Sequence, residues 1–333
     1  MKTVKEIYNF FKCKEASLDD FMLTIDGYII ENNKEDLQIC DMSLAQEYYN
    51  ICEKMCNDLL LLNVASNKTS CIFNKYFGLS LQCSSNPEEA AQDLDYGVYD
   101  FKYRGFVYTR DYFKDSVLQI ESQNANGNLD TGTAYYIGNN MFVTAAHCVN
   151  DVARFNLLYP NSTPMALCEV WFAKGHNRED FDLAIICVDG ELSMNPFRLD
   201  APAVLDDVLV MGFPPIANLP SIQTAETATI GAYQKASTGQ VVANTTAYRS
   251  QMDTFLINAR VKGGNSGGPV INKEGKVVGT VVSLPYDISS SSENPRYDIM
   301  GYGQCLPSKY VDELISSPER YQLHKEDNFY RFQ

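Results

Sequence analysis

Histidine and tryptophan are scarce in this chain, three and one among 333 residues, and its 27 Lys and Arg are outnumbered by 42 Asp and Glu. The net charge of −15 argues against binding nucleic acid or an anionic membrane, because both need a basic face. Long apolar runs are missing too. The richest, around Leu59 to Leu62 and Val277 to Val282, fall far short of the roughly 20 apolar residues of a membrane helix. The opening MKTVKEIYNFFKCKE has no uninterrupted apolar core and no small-residue cleavage site, so it does not read as a secretory signal. A cytoplasmic location is therefore expected. Metal-ligand spacing is also lacking: Cys52 and Cys56 stand one helical turn apart with no second His or Cys pair, so no metal and no other cofactor is expected.

Cysteine itself is plentiful, with ten in the chain. Without a secretory signal they are expected to remain reduced thiols, several of them buried.

The chain divides into two parts of different character. Residues 1–95 read as a small helical module. Ser43 and Gln46 have the spacing of a capping box, and Leu44, Tyr48, Ile51, Cys52, Met55, Cys56 and Leu59 follow at helical spacing. Ile7, Phe10 and Phe11 suggest a shorter helix upstream, and Leu18, Phe21 and Met22 another. LLLLNVASNKTSCIFNKY then reads as a hairpin with a polar tip. Three helices and a hairpin follow the order of a winged helix, but acidic residues predominate here, which favours a small regulatory module that docks on its neighbour or on a protein partner. SSNPEEAAQD, residues 84–93, reads as a linker.

Beyond about residue 105, short β-rich runs recur between turn signals: SVLQIES, GTAYYIG, MFVTAA, ALCEVWFA, LAIICV, VLVMGF, ATIGAY, FLINAR, PVIN and VVGTVVSL. This spacing predicts a mainly β barrel or sandwich. A last helix is expected over 307–316, and residues 321–333 are expected to form a C-terminal tail.

The stretch KGGNSGGPV, residues 262–270, concentrates glycines around one hydroxyl, that of Ser266. Glycines permit a plain turn, but they also let main-chain N–H groups converge beside an exposed nucleophile. A nucleophilic serine needs a base of near-neutral pKa, and His147 in FVTAAHCVN follows an apolar strand, whereas His176 and His324 lie in polar surroundings. DFDLAIICVD offers three acids, Asp180, Asp182 and Asp189. Asp182 directly precedes the apolar run Leu183 to Val188, where a carboxylate can fix the histidine tautomer.

TAAHC, DLAII and GNSGGP, in that order on a β-rich background, resemble the chymotrypsin-like serine peptidases, and within them the HtrA/Deg-like trypsin-like branch. The resemblance covers roughly residues 105–318. It implies two β-barrels in a protease domain over residues 96–320. The chain departs from that branch in one respect: little sequence follows the last expected helix, so no PDZ domain is expected. The resemblance also implies a His147–Asp182–Ser266 triad and an oxyanion hole from the N–H groups of Gly264 and Ser266. A protein or peptide would be the substrate. Arg260, Lys262 and Ser283 are candidate substrate-binding residues, and a cation in the pocket would select acidic side chains. Cys148 has no partner before the His strand and is expected to be a free thiol. Asn265 stands where zymogen-type relatives carry an aspartate, so an uncleaved chain is expected to be active. A stress or defence effector is the expected role, and a catalytically silent binding module is the alternative.

Overall fold

The computed structural model describes residues 3–12, 24–32, 42–215, 233–247, 251–289, 296–299 and 301–332. Two compact units divide at residues 105 and 106, ten residues beyond the expected boundary. The helical run Val98–Phe113 is broken at Gly105, whose φ of 74° is open mainly to glycine.

In the first unit, helices Val4–Lys12, Ile25–Asn32 and Met42–Asn57 precede a two-stranded hairpin, Leu61–Ala65 paired antiparallel with Lys75–Gly78. Ile7, Tyr8, Phe11, Tyr28, Ile51, Met55 and Tyr76 share one core, in which Phe11 and Tyr76 meet edge to face. The Asp100 carboxylate accepts the Val4 N–H at 3.1 Å, satisfying a donor in the first turn of its helix. Three expectations for this region need correction. The long helix begins at Met42, ahead of Ser43, which therefore lies inside the helix and not at its N-cap, and the Gln46 amide donates to Asn50 at 3.1 Å. Residues 84–93 are no linker: Pro87–Tyr96 is a helix, with Asn86 as N-cap accepting from the Glu89 N–H and Pro87 at the first turn. Cys71–Phe73 is a 3-10 turn, and the second hairpin arm starts only at Lys75. The helix expected around Leu18, Phe21 and Met22 centres outside the described residues.

The second unit is mainly β and contains two closed barrels. One has six strands in the order Lys235–Thr246, Asp253–Ile257, Gly303–Pro307, Val277–Ser283, Pro269–Ile271 and Asp207–Gly212. Val208, Val210, Phe255, Ile257, Val270 and Val281 are in its core. The other barrel has eight strands. Its order is Pro318–Glu326, Phe329–Phe332, Arg154–Leu158, Val117–Gln123, Leu129–Gly138, Met141–Thr144, Ala184–Val188 and Leu167–Ala173. The expected C-terminal tail is thus a hairpin of staves. Pro318–Glu326 pairs with Leu167–Ala173, and Tyr330 pairs with Phe155. Helix Lys309–Ser316 buries Val311 and Leu314, as the apolar spacing required. ATIGAY falls almost wholly outside the described residues.

Seven cysteines, 52, 56, 71, 148, 168, 187 and 305, are free thiols. Among the described residues, no helix is long and apolar enough to cross a membrane, and no His, Cys, Asp and Glu group could hold a metal ion.

Candidate active site

His147 opens a single turn of helix, His147–Asn150, directly after the buried strand Met141–Thr144. Ala145 and Ala146 between them have no exposed surface. The serine loop comes close here: a Cβ on Gly267 would lie 2.8 Å from the Ala145 backbone nitrogen, so that position requires glycine.

Asp182 is held between fully buried neighbours, Phe181 and Leu183, just ahead of the strand Ala184–Val188. Its two oxygens engage His147 twice. One accepts the His147 backbone N–H at 2.9 Å, and the other lies 2.7 Å from the ring Nδ1. With Nδ1–H donating to the carboxylate, the free Nε2 becomes the basic nitrogen. Burial opposes protonation of the ring, but the Asp182 hydrogen bond and the Cys148 sulfur next to it outweigh burial, and the His147 pKa is raised. Asp180 and Asp189, the other candidate acids, are tied by their backbone N–H groups to Asn177 and Ala166.

Ser266 is half-buried, and its backbone is fastened to the His147 side of the unit. Its carbonyl accepts the Thr133 N–H at 2.9 Å and the Cys148 thiol at 3.6 Å. Cys148, the free thiol beside the base, thus helps seat the serine loop. Among the described residues no hydrogen bond joins the Ser266 hydroxyl to the ring. Such bonds are often long in an unliganded site and tighten when substrate binds.

The backbone of the loop separates into engaged and unengaged donors. Asn265 donates to the Lys262 carbonyl at 3.0 Å, Gly267 to Val281 at 2.7 Å and Gly268 to Asn265 at 2.8 Å. The N–H groups of Gly264 and Ser266, interleaved with these, have no acceptor among the described residues. Gly264 has a φ of 89° and approaches the Phe213 carbonyl so closely that a Cβ there would lie 2.6 Å from it. That glycine is required twice over, by conformation and by space.

Thr133 was not foreseen as a site residue, although it lies in the GTAYYIG run. Fully buried, its hydroxyl donates to the Gly264 carbonyl at 2.7 Å and accepts the Phe213 N–H at 3.1 Å. The Thr144 hydroxyl donates in turn to the Thr133 carbonyl at 2.7 Å. The eight-stranded barrel therefore grips the serine loop of the six-stranded one. Buried threonines in alternation along an otherwise apolar strand were the available signal.

Two cavities adjoin the loop. One of about 240 Å³ is lined by Ser266 together with Lys262, Gly263, Val281, Val282, Ser283 and Leu284. Ser283 is engaged there, its hydroxyl donating to the Gln304 side chain at 2.8 Å. The other, of about 360 Å³, contains Arg260 and also Lys262. Two of the three expected substrate-binding residues thus share a cavity with Ser266. Arg260 does not: its exposed side chain lines only the neighbouring one.

Residues 132–279 match the family model of the trypsin-like peptidase domain. Two Arabidopsis thaliana proteins are similar in sequence. The putative protease Do-like 3, mitochondrial, is 29% identical over 194 residues, which is 57% of this chain and 30% of that protein. Protease Do-like 2, chloroplastic, is 26% identical over 197 residues, 57% of this chain and 28% of that protein. The chain thus spans under a third of the length of these relatives. Among solved structures, the Rv3671c protease of M. tuberculosis in its active form is matched at 21% identity over 63% of this chain and 83% of that one, with a TM-score of 0.47. The HtrA-type protease AlgW with a tripeptide is matched at 17% identity over 63% and 62%, also with a TM-score of 0.47. The family match falls on the part of the chain that holds His147, Asp182 and Ser266, and this part is similar to a trypsin-like peptidase domain.

Proposed function

We propose that the chain is a serine endopeptidase in which Ser266 attacks the scissile carbonyl. His147 takes the hydroxyl proton on Nε2 and later delivers it to the leaving amine. Asp182 holds the ring in the required tautomer and stabilises its cationic form. The N–H groups of Gly264 and Ser266 receive the oxyanion. One observation carries this reading: those two N–H groups have no acceptor among the described residues beside the serine, while the interleaved N–H groups of Asn265, Gly267 and Gly268 are hydrogen-bonded. Preorganised donors at the developing charge are worth about 3 kcal/mol each. A binding module without chemistry has no use for that arrangement.

Asn265 is buried and neutral, so it needs no newly formed ammonium group to balance it. The uncleaved chain is therefore the active form in this proposal. Residues 1–95, acidic and helical, would dock a regulatory partner, and the chain would work in the cytoplasm as a stress or defence effector acting on protein substrates. Nucleic acid and membrane surfaces are not among its partners in this reading, in keeping with the net charge of −15.

The decisive experiment is labelling of the intact chain with a fluorophosphonate probe, alongside Ser266→Ala. The wild type should label and cleave a protein substrate, and the variant should do neither while remaining folded. An intact wild type that does not label would leave the silent binding module as the reading.

A further inference from the structure

The larger of the two cavities collects positive charge in a protein that is strongly negative overall. Lys235, Arg260 and Lys262 line it, with Asn265 and the apolar Val210 and Pro214 completing the wall. Among the described residues, no carboxylate forms an ion pair with any of the three. The Lys235 amine donates to the Pro214 carbonyl at 2.6 Å, which gives it an acceptor but no counter-charge. Burial and, after it, the charge of Lys262 lower the Lys235 pKa, so the cations crowd one another. An anion placed among them would relieve that repulsion and gain charge-assisted hydrogen bonds.

The position of the cavity says which anion is meant. Lys262 lines both this cavity and the one holding Ser266, so the two share a wall. Asn265, the residue preceding the serine, forms part of the same lining. A peptide lying across Ser266 therefore passes the mouth of the cationic cavity, and one of its side chains can enter. We propose that this cavity is a subsite for an acidic side chain flanking the scissile bond, held by Lys235, Arg260 and Lys262. The inference rests on the peptidase reading above and adds the substrate class to it.

The test uses fluorogenic peptides that differ only in Glu or Gln, placed in turn at each position flanking the cleaved bond. Active sites are counted by fluorophosphonate labelling, so that each kcat/KM is per working site. At one position Glu should be preferred over Gln by roughly three- to fivefold, the size of a well-placed exposed ion pair. The ratio should fall towards one in Arg260→Gln, invert in Arg260→Glu, and shrink as salt is raised. Arg260 suits the experiment because the bond it makes to Ser237 uses its backbone carbonyl, which substitution leaves in place. A labelled enzyme that cleaves Glu and Gln peptides equally at every position, or a preference unchanged in Arg260→Glu, would overturn the subsite.

Binding of a dye-labelled Glu peptide and its Gln counterpart to Ser266→Ala, followed by fluorescence anisotropy, separates the two readings. If the wild type does not label but the Glu peptide still binds more tightly, the anion site stands and the peptidase reading fails. If the wild type labels and no Glu preference appears in binding or cleavage, the subsite fails and the peptidase reading stands.

Discussion

Replacing Thr133 with valine tests whether one barrel positions the catalytic loop of the other. Valine keeps the branching of threonine and puts a methyl in place of the hydroxyl, but that hydroxyl makes two hydrogen bonds, one buried and one part-buried. Losing it strands the Gly264 carbonyl and the Phe213 N–H without partners. Each stranded group costs about 1–3 kcal/mol, so the unit should lose roughly 2–6 kcal/mol of stability, read as a fall in the urea midpoint. The catalytic effect should be smaller than deletion of an oxyanion donor, which costs about 10²–10³ in rate. The peptide after Gly264 loosens, but its neighbour is still fixed by the Gly268 bond to Asn265. A drop in kcat of about tenfold follows, with KM little changed because Thr133 is fully buried. Thr133→Ser, which restores the hydroxyl, should recover most of the kcat. A valine variant with wild-type midpoint and kcat would refute the reasoning, as would a serine variant no faster than valine.

Three further outcomes are expected. Because the His147 pKa is raised and the base must be neutral, the acid limb of kcat/KM should lie above the ordinary imidazole value of about 6.5, and Asp182→Asn should move it down while reducing the rate. The same shift means the native state binds this proton more tightly than the unfolded chain. The pair's stabilisation is therefore complete below about pH 6.5 and is lost as pH rises through the native value, visible in pH-dependent denaturation midpoints. Gly267→Ala would force a Cβ against the Thr133 carbonyl and the Thr144 hydroxyl at a φ of 81°, and should cost about 3 kcal/mol or more, giving little soluble protein on expression. Asp100→Ala removes the acceptor of the Val4 N–H and should weaken the first helix by about 1–2 kcal/mol, measured as faster amide hydrogen exchange across Val4–Lys12; exchange unchanged from wild type would count against that role.

The catalytic candidates could be read from sequence because their constraints are local. A glycine at Gly264 is dictated by φ and by contact with Phe213, and one at Gly267 by φ and by the approach of the Thr133 carbonyl, so both leave marks in a short motif. The apolar strands were legible for the same reason. Pro318–Glu326 was not. Its side chains are mostly exposed or half-buried, and Leu323 alone is buried, so RYQLHKED resembles a charged tail until its partner strand is seen. Pro87 misled in the opposite sense. Proline breaks a helix from inside but starts one at the first turn, and Asn86 before it supplies the cap. Lys235 joined the candidate site only in three dimensions, because it lies on a polar strand far from the serine in sequence.

The C-terminal hairpin has a consequence for how the chain is made. Strands Arg154–Leu158 and Leu167–Ala173 leave the ribosome long before their partners at 318–332, with the whole six-stranded barrel translated in between. Until then the eight-stranded barrel is an open sheet with two bare edges, a state prone to pair with other chains. The His147–Asp182 pair is therefore synthesised early into an unfinished barrel, and its closure is a slow, long-range step. On the proposed peptidase reading, activity should emerge only after the hairpin at 318–332 docks, which spares the nascent chain and its neighbours from cleavage during synthesis.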